Sequence, residues 1–347
     1  MRPENARRSK SDFQDKKRRA AVRALEYNTR LPEVSRSAVL VFVVLVLVNL
    51  MWAFQFSGAK IATERLGPIT VTLIPLAIST ALFAPFVRLG RGTRQRLRFT
   101  PVLARDLVLA GTLGVTAAQL GLTWGVQHSL ASNASVITLT IPVLTAFMAV
   151  ALLGEKMTAV RWLSFLLAII GVLLVSDIDW RSVEIFKGRY LIGNGLIFIS
   201  CLGSAFYNTY SKKLLEILTP VELLIYSFLV SDLILLVLIL ILEPPSLSTL
   251  ISLGPRVWVS LVTIAIFSLS VSMALFFWVI ERIDVTQASV SIYLLPVFGV
   301  LLSTIVVNEK VTPQLIGGGL LVFLGTFLIT VYEERKKMRI ASEQAGQ

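Results

Sequence analysis

The chain has 347 residues, 55% of them hydrophobic, with a mean hydropathy of +0.77 and a formal net charge of +12. So much apolar surface excludes a soluble globular protein, and its continuous runs of about twenty residues, rather than alternation, exclude a β-barrel. One cysteine (Cys201) and one histidine (His128) can form neither an intrachain disulfide nor a His/Cys zinc site. The sequence also carries no phosphate loop, dinucleotide fingerprint or Ser/His/Asp arrangement on a soluble scaffold. No cofactor, metal or enzymatic activity is expected, and ATP-driven transport by this chain alone is disfavoured.

Residues 1–36 are polar and basic, without apolar periodicity, which predicts a disordered or loosely helical cytoplasmic tail lying against anionic lipid headgroups. Ten apolar spans follow, near 38–59, 68–87, 106–127, 133–153, 159–176, 190–211, 220–242, 256–280, 286–307 and 313–332. The first carries Asn49, Trp52, Phe56 and Lys60 on one helical face, and the third a line of Thr112, Thr116, Gln119 and Thr123. Span four holds Asn133, Ser135 and mid-span Pro142, and Glu155 closes it. A polar linker at 178–189 precedes span six, whose polar face reads Asn194, Cys201, Ser204, Asn208 and Lys212. Span seven has Asp232 at its middle. Span nine runs from Gln287 and Ser289 through Pro296 to Glu309, and residues 334–347 form a second tail.

The chain repeats itself. Ile141–Thr158 returns as Leu295–Thr312 at an offset of 154, superposing Pro142 on Pro296, Glu155 on Glu309 and Trp124 on Trp278. Asn49–Pro68 matches Cys201–Pro220 at an offset of 152. The repeats cover 37–177 and 190–333, and five spans apiece is an odd number, so the second enters the membrane in the opposite sense. Twenty-six of the 33 Lys and Arg residues fall in segments that would share one face with both termini. That predicts an N-in, C-in topology and removes the case for nucleic acid as the partner of the positive charge. The expected fold is an all-α polytopic membrane protein, ten transmembrane helices in two inverted five-helix repeats.

The ordered set WAFQFSGAK, LASNASVITLTIPV, LGEKMT and a late glycine (Gly171, again as Gly325), occurring twice, resembles the EamA family of the drug/metabolite transporter superfamily. The likeness covers Ser37 to Tyr332. It implies a ten-helix carrier in the plasma or bacterial inner membrane that exports or exchanges small metabolites, an amino acid or related amphipathic compound among them. The sequence departs from the family in its long basic tail, and Ser204 stands where the repeat would place a second Trp52.

Asp232 is the one acidic or basic residue in the middle of any span, and its counterpart is Thr80, so the repeat does not demand the charge. An ionised carboxylate there costs at least ~2.5 kcal/mol. It reads either as a proton or cation coupling group or as a neutral Asp hydrogen-bonded to a neighbouring helix. Asn49, Trp52, Phe56, Gln119, Thr123, Ser204, Asn208 and Gln287 are candidates for solute binding, since polar groups facing lipid would go unsatisfied; interhelical hydrogen bonding is the alternative. For Gln287, helix capping competes with solute binding. Glu155, Glu309, Pro142 and Pro296 are gating candidates, set against an interfacial salt bridge and a fixed kink. The small-residue run Gly317–Gly325 suits a close contact within the bundle or in a homodimer. The overall expectation is a secondary transporter working by alternating access, with efflux as the direction and a proton as one coupling ion. The alternatives are a non-transporting scaffold or receptor on a carrier fold, and a channel.

Overall fold

A computed structural model describes residues 38–55, 58–59, 61–87, 99–129, 134, 137–175, 183–186, 188–244, 251–307 and 313–336. Among these, seven helices are long and apolar enough to cross a membrane: α1 (Ala38–Gln55), α2 (Pro68–Phe86), α3 (Pro101–Gln127), α6 (Leu191–Leu214), α7 (Pro220–Leu242), α8 (Pro255–Ile280) and α10 (Ile316–Lys336). Three apolar helices are shorter, α4 (Thr140–Leu153), α5 (Ala159–Val175) and α9 (Val285–Gly299). The described residues contain no strand.

Helix starts are written in proline. Pro68, Pro101, Pro220 and Pro255 each open a helix, where a missing N–H costs nothing and φ is already helical. The Thr100 side chain accepts from Leu103 N, so α3 begins at Pro101 instead of near residue 106 as the hydropathy alone predicts. Thr219 and Glu222 form a reciprocal capping box at the start of α7. Gly154, with φ of 69°, ends α4 in the left-handed conformation that glycine adopts without strain.

The buried side chains of α1, α2, α3, α6, α7, α8 and α9 merge into one apolar core. A second cluster joins α5, α9 and α10. Large apolar residues also ring the outside, Phe147 at 73% exposure and Leu233 at 63% among them. In water such a surface would drive aggregation; against hydrocarbon it is what a multi-pass membrane protein presents.

Helices α5 and α10 meet backbone to backbone. A Cβ added at Gly171 would lie 2.5 Å from the Gly318 carbonyl oxygen, and one at Gly325 would lie 2.7 Å from that of Ser164. Only glycine permits that approach. Both α3 and α8 are interrupted by π-helical stretches, Ala110–Thr116 and Ile264–Val271, which begin 154 residues apart. A π stretch carries i→i+5 bonds, is costly, and recurs at functional sites. Residues 1–36 and 337–347, Phe56, Lys60, Asn133, Ser135, Glu309, Lys310 and half of the 178–189 linker lie outside the described residues.

Candidate functional site

Three polar regions stand out, one at each end of the bundle and one midway. The first is a small open cleft, with about 20 Å³ of enclosed space, where α1 and α3 finish and α2 begins, against the middle of α8. Gln55, Thr72, Gln119 and Thr123 supply its polar wall; Ala59, Val71, Pro75, Ile264 and Leu269 supply the apolar one. Gln55 donates its side-chain amide to Gln119 Oε1 at 2.8 Å. Thr72 donates to the Pro68 carbonyl at 2.8 Å and Thr123 to the Gln119 carbonyl at 2.9 Å. The two hydroxyl oxygens stand 3.3 Å apart. Each hydroxyl has one hydrogen, so with those hydrogens committed to carbonyls both oxygens can accept. No charged side chain lines the cleft among the described residues.

The cleft therefore gathers Gln119 and Thr123 from the predicted set and adds Gln55 and Thr72. It does not gather the remaining candidates. Asn49 donates to Leu45 O and to Ser291 Oγ of α9, leaving its own Oδ1 buried without a partner. The Trp52 indole donates to the carbonyl of Ser268, inside the π stretch of α8, and packs against Phe276. Ser204 is half-buried and Asn208 buried on α6. Gln287 is fully buried near the opposite end, donating to Ile329 O and accepting from Asp284 N as part of a capping box.

The second region lies where α4, α6, α8 and α10 end and α5 and α9 begin. Its centre is Arg161, only 2% exposed. Arg161 donates through Nε to both oxygens of Glu333, at 3.1 and 3.2 Å, and through Nη2 to Asp284. Glu155 stands 3.7 Å from its Nη1. The Glu155 carboxylate also accepts from Val285 N at 2.7 Å and Thr286 N at 3.0 Å, so it caps α9 and favours the positive end of that helix. Lys212 donates to the Ile280 and Ile283 carbonyls at the end of α8. Two gating candidates lie at opposite ends of α4: Glu155 in the cluster, and Pro142 in the first turn, its carbonyl accepting from Ser289 at 3.4 Å. Pro296 lies half-buried in α9. Sequence reasoning passes over Arg161 because cations at span ends usually anchor topology. The signal that could have found it is its repeat counterpart, Leu315. The repeat demands no charge there, and the same test marks Asp232.

Midway along the bundle, Asp232 of α7 meets Thr80 of α2. Thr80 Oγ1 lies 2.7 Å from Asp232 Oδ2 and 3.0 Å from the Leu76 carbonyl, and Asp232 Oδ1 is buried without a partner. Asp232 and Thr80 are each other's repeat counterparts, 152 residues apart. The same happens at Tyr293, whose hydroxyl donates to the carbonyl of its own counterpart Leu139, 154 residues away. Other contacts come in matched pairs. Asn49–Ser291 answers Cys201–Ile137, and the Gly171–Gly318 approach answers Gly325–Ser164.

The sequence profile of the EamA-like transporter family matches residues 39–177 and again 191–331. The chain belongs to the EamA-like transporter family. It is a multi-pass protein of the cell membrane. Relatives within reach of the sequence are transporters by name. One, from Archaeoglobus fulgidus, called an uncharacterized transporter, is 24% identical over 290 residues, covering 83% of this chain and 98% of the relative. Another, from Streptantibioticus cattleyicolor, is named a probable terminal-alkyne amino-acid exporter; it is 24% identical over 285 residues, covering 82% and 91%. Among solved structures, one crystallised protein superposes with a TM-score of 0.68 at 18% identity, covering 86% of this chain and 97% of its own length. That likeness bears on the fold alone.

Proposed function

We propose that this EamA-family chain is a secondary transporter of ten crossings in two inverted repeats, N-in and C-in, exporting a small polar or amphipathic solute by alternating access. The observation that carries the reading is the set of matched contacts. A position that touches its own repeat counterpart (Asp232 with Thr80, Tyr293 with Leu139) sits on a pseudo-two-fold axis, and a rigid rocking of one repeat on the other turns about such an axis. In this topology the cleft opens outward and the Arg161 cluster closes the cytoplasmic end, with Glu155 as its latch.

The cleft's chemistry suits an amino acid or related compound. Two hydroxyl oxygens and Gln55 Oε1 accept from an ammonium, the Gln119 amide donates to a carboxylate, and the apolar wall takes a side chain. An exporter of amino acids among the relatives points the same way. Asp232 lies outside the cleft, so it couples a proton through α2 and α7 instead of pairing directly with the solute.

The test is counterflow of a labelled amino-acid panel in proteoliposomes, with and without a pH gradient, for wild type, Gln119→Leu and Asp232→Asn. Saturable flux that falls in Gln119→Leu, and gradient stimulation that disappears in Asp232→Asn, supports the reading. Flux untouched by Gln119→Leu removes the cleft from it, and gradient-driven flux persisting in Asp232→Asn removes the coupling role. A folded chain that moves none of the panel overturns the amino-acid assignment.

A further inference from the structure

The Asp232–Thr80 pair is flanked by two further hydroxyl pairs, made by the residues that precede it on α7 and on α2. On one side, Thr116 Oγ1 is 2.8 Å from Ser231 Oγ and 2.9 Å from the Gly111 carbonyl. On the other, Ser270 Oγ is 2.7 Å from Ser79 Oγ and 2.7 Å from the Ala265 carbonyl. The two halves are repeat counterparts atom for atom. Ser231 precedes Asp232 on α7, and Ser79 precedes Thr80 on α2. Thr116 and Ser270 each reach the carbonyl five residues back, inside the π stretches of α3 and α8. All four hydroxyl residues are buried, Ser79 and Ser231 completely.

Hydrogen counting gives each flanking pair a direction. A carbonyl only accepts, so Thr116 and Ser270 spend their hydrogens on Gly111 and Ala265, and Ser231 and Ser79 donate to them. Thr80 faces a choice. Its one hydrogen goes to Asp232 when the carboxylate is ionised, and to Leu76 O when Asp232 carries the proton and itself donates to Thr80. A hydroxyl bonded back to the carbonyl four residues earlier bends a helix. Pro75, one turn before Ser79 and Thr80, already removes a backbone bond from α2 and lies in the cleft wall.

We infer that Thr116, Ser231, Ser79 and Ser270 are positioning residues that tie the π stretches of α3 and α8, and through them the cleft, to the protonation state of Asp232. The π stretch of α8 itself contributes Ile264 and Leu269 to the cleft, and that of α3 ends three residues before Gln119. Other titratable groups on the packed helices are engaged elsewhere. Tyr207 of α6 meets Ser227 at 2.7 Å, Glu222 sits in the cap of α7, and Glu243 accepts from Thr70. Asp106 pairs with Arg105 at the start of α3, and Glu281 follows α8 beside Arg282. The inference rests on the coupling role proposed for Asp232.

Hydrogen–deuterium exchange of the full chain in proteoliposomes, without solute, tests it. Exchange over residues 110–116 and 264–271 is compared at about pH 5 and about pH 8, after correction for intrinsic rates. In wild type, protection of both stretches is expected to change with pH by about tenfold, the scale of one hydrogen bond made or lost. Asp232→Asn abolishes the change in both. Thr116→Val abolishes it over 110–116 only, Ser270→Ala over 264–271 only, and Thr116→Ser restores it. Ser231→Ala, which removes the donor without touching α3, repeats the Thr116→Val result should that variant misfold. A wild type without pH response, a response surviving in Asp232→Asn, or one surviving over 110–116 in Ser231→Ala overturns the inference. No solute enters the assay, so its failure leaves the transport reading standing, and a failed flux assay leaves this result standing.

Discussion

Arg161 shows how burial ranks the partners of one charge. Its three carboxylates differ in exposure: the Glu333 side chain is 4% exposed, Glu155 7% and Asp284 38%. Solvent screens the Asp284 pair, while breaking a buried pair leaves an uncompensated charge at a cost of about 3–5 kcal/mol. Glu333→Gln is therefore expected to lower the melting temperature in detergent more than Asp284→Asn does; equal losses would contradict this ranking. Arg161→Lys is expected to behave as a loss, because an ammonium cannot address Glu333 and Asp284 together as the guanidinium fork does. Asp232 and Glu155 stood out in the sequence as candidates, Asp232 because it interrupts an apolar run and Glu155 because it closes one. Gln55 and Thr72 did not. The legible stripe of Asn49 and Trp52 is occupied with α9 and α8, and the cleft opens one helical position away, at Gln55.

At the scale of elements, hydropathy found the starts at Pro68 and Pro220 but missed the one at Pro101, and the run of small residues marked a face suited to a close contact. Its partner was hidden, because spacing reveals an approachable face but not who approaches. Gly325→Leu is expected to cost roughly 1–3 kcal/mol, since a Cβ there meets the Ser164 backbone, which cannot yield. Gly317→Ala, with nothing within 4 Å, is expected to be neutral or to gain up to about 1 kcal/mol of helix propensity. Thermal melts of the two variants side by side decide it; similar losses would mean the contact is not backbone-limited. The π stretches were not legible at all. Ala110–Thr116 contains two glycines and Ile264–Val271 none, so no composition marks them. They arise from a register that only packing and the Thr116 and Ser270 hydroxyls hold.

For the whole molecule, the duplication was legible and the difference between its ends was not. The repeat counterpart of Arg161 is Leu315, so the arginine that gathers three carboxylates has no equivalent in the second repeat. One end carries an ionic cluster while the other carries a cleft. The native Cys201 is fully buried, which leaves a low background for thiol labelling. Thr123→Cys is expected to react with a membrane-impermeant maleimide added outside intact cells, whereas Ser289→Cys is protected from both sides. Adding Arg161→Ala to Ser289→Cys is expected to admit reagent from the cytoplasmic side of inverted vesicles. Ser289→Cys labelling readily without that change would show that the cluster is no seal.

The meeting of Asp232 with Thr80 also carries an implication for stoichiometry. In a dimer of two identical half-length chains, any residue on the axis meets itself, so such an assembly could hold two threonines there or two aspartates, never one of each. Two carboxylates so close would compete for a proton; two hydroxyls would offer none to exchange. Joining the halves into one polypeptide freed each copy to change alone. The fused chain thus holds a single carboxyl group where an assembly of two identical halves would hold two or none.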